Sequence, residues 1–200
     1  NYWDSFINLN FSYDKRNNKF KPSDGFINRY YLDIPFISET NTLSNTFDYK
    51  VYKELYKDNV SSLSFYLQTS DSLSNDNIKL TERIFLPSNK LRGFTLGGIG
   101  PKEGNDFIGG NYASSFNLSS TLPQILQENE NIDFLIFFDA ANVWGVDYDS
   151  TIDDSNTIRS SIGLGVDWFT PLGPLNFSLA QPLTKDKNDS TETFRFNLGT

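Results

Sequence analysis

Apolar and polar residues alternate with a period of two along most of this chain. In 6–13, Ile7, Leu9, Phe11 and Tyr13 share one face, and Asn8, Asn10 and Ser12 take the other. In 45–55, Phe47, Tyr49 and Val51 oppose Asp48, Lys50, Tyr52 and Glu54. In 61–69, Leu63, Phe65 and Leu67 oppose Ser62, Ser64, Tyr66 and Gln68, and near the end Phe194, Phe196 and Leu198 alternate with Thr193, Arg195 and Asn197. Strict alternation marks half-buried strands. No stretch of comparable length carries a helical repeat, so the chain reads as all-β.

About nine strands are predicted, at 3–14, 25–34, 45–55, 60–70, 111–122, 131–144, 157–170, 174–183 and 192–199. Each is on the order of ten residues, the span of a membrane strand, where soluble strands run nearer five or six. The connections are read as two alternating sets, 15–24, 56–59, 123–130 and 171–173 against 35–44, 71–110, 145–156 and 184–191; the first pair is equal in length, and each later member of the first set is shorter than the connection that follows it. Short turns at one end and long loops at the other suit an antiparallel transmembrane β-barrel. A β-sandwich with long loops is the alternative. Bacterial barrels normally have an even number of strands, so an odd count predicts a piece of a larger barrel.

Composition narrows the chemistry. The chain has no Cys and no His, which removes disulfides, thiolate metal sites, the usual general base and the commonest zinc ligand. No catalytic residues, metal site or cofactor are expected. The net charge of −8 lacks the basic patch of a nucleic-acid binder, so no nucleic-acid partner is expected. The longest apolar run, FLIFF at 134–138, is far short of the roughly 20 residues of a spanning helix, and no secretory leader is read at the start of the chain. A mean hydropathy of −0.44 does not decide against a membrane barrel, whose lipid face is diluted by alternation.

The 71–110 connection is too long for a structureless turn. It carries Leu91-Arg92-Gly93-Phe94, then Gly97-Gly98-Ile99-Gly100-Pro101, and Gly109-Gly110-Asn111 opens the next strand. The glycines permit tight or left-handed backbone, and Arg92 would present a five-donor fork on a folded loop tip.

In this setting the chain resembles the C-terminal half of the barrel of BamA-type outer-membrane insertases, the bacterial surface antigen family. That family has a (Val/Ile/Leu)-Arg-Gly-(Phe/Tyr) motif on a long inward-folded loop, matched by Leu91, Arg92, Gly93 and Phe94. FFDAANVW at 137–144 is similar to the strand bearing the family's Asp-x-Gly. SIGLGVDWFTPLGPLNFSLAQPL at 161–183 is similar to the next two strands with their turn, and FRFNLG at 194–199 to the closing strand. DKRNNKFKPSDG at 14–25 is similar to an Asp-Arg-x-x-x-x-Pro-x-x-Gly turn.

The resemblance covers essentially the whole chain. It implies the last nine of sixteen strands, in the outer membrane of a Gram-negative bacterium, with 1–200 as the C-terminal part of the barrel. It further implies that loop 71–110 folds inward and that Arg92 pairs with an acidic residue of the inner wall. Parity independently puts Asp139 on the lumen side, opposite Ile136 and Phe138. Where the family has glycine after Asp-x, this chain has Ala141, and where many relatives carry a glutamate on the preceding strand, Ser119 is expected. Phe194, Phe196, Leu198 and Gly199 would form the lateral-seam strand.

The function implied is insertion and folding of other β-barrel proteins, with unfolded outer-membrane proteins as clients and outer-membrane lipid as the medium. Assembly lipoproteins would be recruited through upstream domains. In the family the first and last strands meet weakly, and an incoming strand pairs with the opened edge. A TamA-type or two-partner secretion barrel shares the Arg-Gly-Phe/Tyr loop and is the first rival. A passive porin is the second. A barrel lipase is poorest, because no nucleophile-and-base set is visible, and a soluble binding sandwich would need no detergent.

Overall fold

Alternating residues become nine long strands in one antiparallel sheet. A computed structural model describes residues 5–37, 41–74, 76–123, 131–152, 157–171 and 173–198. The long strands are β1 (Ser5–Asp14), β2 (Asp24–Ile37), β3 (Thr42–Tyr56), β4 (Asn59–Ser72), β7 (Tyr112–Thr121), β8 (Ile132–Trp144), β9 (Arg159–Thr170), β10 (Gly173–Thr184) and β11 (Phe194–Leu198). Between β4 and β7 lie 3-10 turns at Leu80–Glu82 and Ser88–Lys90 and a small hairpin of β5 (Lys102–Glu103) and β6 (Asp106–Phe107). The long strands pair in chain order, β1-β2-β3-β4-β7-β8-β9-β10-β11, as a meander of antiparallel neighbours must.

Cross-sheet contacts show that this sheet is curled. In a flat sheet β3 and β11 would lie six strand spacings apart, roughly 29 Å. Yet one short loop segment, 88–94, bonds to both: Lys90 Nζ lies 2.8 Å from Asp48 Oδ1 on β3, and Arg195 on β11 donates to the carbonyls of Ser88, Leu91 and Phe94. Near the opposite end, Lys21 in the β1–β2 turn meets Asp133 on β8 at 2.7 Å. The strands therefore wrap round a common interior, as the wall of a partial barrel.

Side-chain faces follow from this curvature. Facing outward across adjacent strands are Ile136, Leu164 and Leu179, in register and all exposed. Phe11–Tyr30, Tyr13–Phe26 and Phe47–Phe65 ring pairs continue the apolar band. Ser62, Ser64, Ser115, Asp139, Ser161 and Arg195 face inward and are buried. Leu164→Arg, near the middle of the outward band, should cost roughly 2–4 kcal/mol in unfolding from lipid vesicles. A polar change at inward-facing Ser119 should cost much less.

One connection is much shorter than expected. β2 and β3 run further than alternation suggested, so 38–41 is a short link, whereas the first turn keeps nine residues, 15–23. The alternation of short and long connections therefore fails at its first pair. That first turn is held together locally: Lys15 N donates to Phe26 O, Asn17 N to Asp24 O, and Asn17 Oδ1 accepts from the amides of Ser23 and Asp24. The remaining pairs keep the expected order, with a two-residue turn at 57–58, two residues between the end of β9 and the start of β10, and 39 residues between β4 and β7.

Candidate functional site in the barrel interior

The long 73–111 connection lies against the inner wall. Its apolar residues Ile84, Leu86, Leu91, Phe94 and Ile99 pack with wall residues Tyr66, Ala113, Ala141 and Val143 in one buried cluster. Burial of that apolar face holds a segment with little secondary structure of its own. Ala141 is part of the cluster, so the methyl that replaces the family's glycine fills space against the loop.

Arg92 sits at the centre. Its Nε is 2.7 Å from Asp139 Oδ2 and its Nη2 is 2.8 Å from Oδ1, a bidentate pair. The Arg92 amide donates to the same Oδ2 at 3.0 Å, and Asn117 Nδ2 donates to Oδ1 at 3.0 Å. Asp139 is completely buried, so these four donors replace the water a carboxylate would otherwise hold. The guanidinium stacks on Phe137, 3.4 Å from the ring centroid, a contact open to a planar cation. Ser161 Oγ on β9 donates to Arg92 O at 2.5 Å.

Gly93 makes the turn possible. Its φ is +91°, and a Cβ there would stand 3.2 Å from Ala180 Cβ and 3.3 Å from Ser161 Cβ. Left-handed backbone penalises any residue with a side chain, by about 1–2 kcal/mol, and the wall leaves little room for relief. Gly93→Ala should therefore loosen the loop, read as faster proteolysis between 88 and 98 with the strands still intact.

The residue beside Asp139 on β7 is Asn117, not Ser119. The register pairs Asn117 with Asp139 and Ser119 with Phe137. Same-face neighbours two residues apart are about 7 Å apart along a strand, so Ser119 is one step too far and instead hydrogen-bonds Ser62 across to β4. Among the described residues Arg92 has Asp139 as its one acidic partner.

Several anchors were absent from the sequence reading. Lys90 is nearly buried, pairs with Asp48, and lies over the Tyr66 ring at 4.8 Å. Its carbonyl accepts from Asn117 Nδ2 at 2.8 Å. Alternation placed Asp48 on the inner face, and Lys90 lies two residues from the motif arginine. Those two facts were the available signal. Phe194, Phe196 and Leu198 point outward from β11, exposed, with Phe196 packed on Phe177 at 5.1 Å between centroids. Gly199 lies outside the described residues.

A second clamp fixes the start of the loop. Arg83 is buried and bonds Asp147 at 2.6 Å, Ile78 O at 3.2 Å and Asn111 Oδ1 at 3.3 Å. Burial alone would raise the Asp147 pKa, but the Ile78 amide and the Arg83 guanidinium reverse this and hold it below the ordinary 3.8. A depressed carboxyl contributes stability that is present above the unfolded value and lost as pH falls through the folded one. Protection of 78–83 against hydrogen exchange should be constant from neutral pH to about 4, then decline below it. Asp147→Asn should flatten that decline.

Comparison with known proteins places this geometry. The Omp85 superfamily domain model matches residues 1–200. An outer membrane protein assembly factor BamA from Neorickettsia risticii is 31% identical over 128 residues, 62% of this chain and 17% of that protein. One from Neisseria meningitidis serogroup B is 29% identical over 137 residues, 55% of this chain and 17% of that protein. The crystal structure of BamA from Haemophilus ducreyi lacking POTRA domains 1–3 superposes with a TM-score of 0.86 at 24% identity, covering 94% of this chain and 41% of that one. The chain thus spans under half of the solved relative and about a sixth of these two curated ones.

Proposed function

This chain belongs to the Omp85 superfamily, and on that premise we propose that it is the C-terminal part of a barrel that folds and inserts β-barrel proteins in the bacterial outer membrane. The observation that carries the reading is the Arg-Gly-Phe loop held inside the wall by Asp139. A pore built only to conduct has no need of a loop clamped this way across its interior. Support comes also from the relatives, which are named as outer membrane protein assembly factors.

The work requires no covalent chemistry or cofactor. β11 pairs with β10 over Leu175–Leu179 and with no other strand among the described residues. Its other edge would meet the first of sixteen strands in the intact barrel. A free edge in lipid leaves backbone donors and acceptors unsatisfied. An unfolded client strand can pair with it, as strand addition does elsewhere. Clients are then recognised through backbone hydrogen bonds and an outward apolar face, and the assembly lipoproteins act through the domains upstream.

The test reconstitutes the full-length protein in phospholipid vesicles and follows folding of a urea-denatured outer-membrane barrel by its gel mobility. Acceleration over empty vesicles, reduced in Asp139→Asn, is the expected result. No acceleration, together with a steady ion conductance, would favour the porin. Passage of a secreted chain into the vesicles without insertion would favour the secretion barrel.

A further inference from the structure

Arg195 is a buried cation on β11, and three of its four partners lie in the 73–111 connection. The guanidinium donates to the carbonyl oxygens of Ser88, Leu91 and Phe94, and through Nε to Glu192. These three carbonyls bracket the Arg-Gly-Phe motif. Backbone bonds reinforce the contact, from Glu192 N to Gly93 O at 3.1 Å and from Thr95 N to Ser190 O at 3.0 Å, with a bridge between Phe94 and Thr191. Among the described residues β11 pairs with β10 over Leu175–Leu179, and Ala180 N donates to Thr193 O at 2.8 Å beyond them.

From this we propose that Arg195 is a positioning residue that ties the seam strand to the motif loop, so that loop and strand edge move as one body. The inference rests on the insertase reading for its purpose. The physical coupling stands apart from it. The loop has two kinds of anchor. Asp139 and Ser161 fix it to β8 and β9, in the middle of the wall. Arg195 fixes it to the edge strand. A guanidinium suits this role because its planar fork can serve several carbonyls at once, where an ammonium is a single point charge. These bonds hold β11 to the loop as well as to β10. A shift of the loop away from Asp139 would therefore displace β11, and a client pairing with the edge would be felt at the motif.

The test uses single cysteines in the full-length protein in vesicles, since this chain supplies none of its own. Ser88→Cys reports the loop, Asn197→Cys reports β11, and Ser62→Cys reports the far wall. Each is labelled with a small maleimide, with no client present, so the outcome does not depend on whether the protein inserts clients. In Arg195→Gln, labelling at 88 and at 197 should rise together, by about tenfold or more as expected for loss of charge-assisted hydrogen bonds, with 62 unchanged. Arg195→Lys should restore part of the protection at both. Arg92→Ala should raise labelling at 197 although it touches no residue of β11. A rise at only one of 88 and 197, or at neither, would overturn the coupling. An equal rise at 62 would overturn it too, because Arg195 would then merely keep the barrel folded.

Discussion

Replacing Arg92 or Asp139 alone should destabilise the barrel by about 3–5 kcal/mol, the cost of leaving one member of a buried ion pair unpaired, and somewhat less where interior water reaches the site. The two effects should be similar in size. Arg92→Ala leaves a carboxylate with no exposure holding only the Asn117 amide and the residue-92 backbone amide. Asp139→Asn leaves a guanidinium facing an amide that offers one acceptor oxygen where four donors converge. Combining the two should cost less than their sum, since the second change removes the charge orphaned by the first. Arg92→Lys should recover only part, because an ammonium cannot reproduce the two-point contact or stack on Phe137. Urea unfolding from vesicles gives the four free energies of the cycle. Strict additivity would mean that the pair contributes no coupling.

Phe94→Ala is expected to match that loss by another route. The ring is 2% exposed among Leu91, Ile99, Val143 and their neighbours, and truncating a buried Phe typically costs 3–5 kcal/mol through lost transfer energy and the cavity left behind. Phe85, on the same loop but 40% exposed, should lose clearly less on the same change. The Phe94 variant should keep the strands paired while its loop becomes sensitive to protease, because the ladder does not depend on that cluster. Equal losses for Phe85→Ala and Phe94→Ala would contradict the packing described.

The wall was legible because a barrel writes itself into the sequence at one residue in two. That pattern put Asp139 on the inner face and Ile136 on the outer, where the structure has them. Strand ends were less legible. β2 and β3 extend over 35–37 and 42–44, where Pro35 and the polar residues on either side of Leu43 hide the alternation. Position 119 meets the same difficulty. Parity cannot separate 117 from 119, since both face inward, and only the register across the 122–131 link chooses Asn117.

The loop interior was harder still. Alternation sets Arg195 on the face opposite Phe194 and Phe196, but its acceptors in the loop are backbone carbonyls, which carry no residue-type signal. The β5–β6 hairpin was missed although Gly104-Asn105 between its arms is a known two-residue turn pair. The pairing of Lys90 with Asp48 joins positions 42 residues apart in sequence. No periodicity reports such a contact.

The account turns on whether the Arg-Gly-Phe loop is held inside the wall by Asp139. Hydrogen exchange of 88–95 in the full-length protein, in a lipid bilayer, measures this most directly, because the Arg92 amide itself donates to that carboxylate. The expected result is strong protection of 88–95 in the wild-type protein, lost in Asp139→Asn while β8 and β9 stay protected. Exchange of 88–95 at the rate of a free loop in the wild-type protein, or protection indifferent to Asp139→Asn, would contradict it.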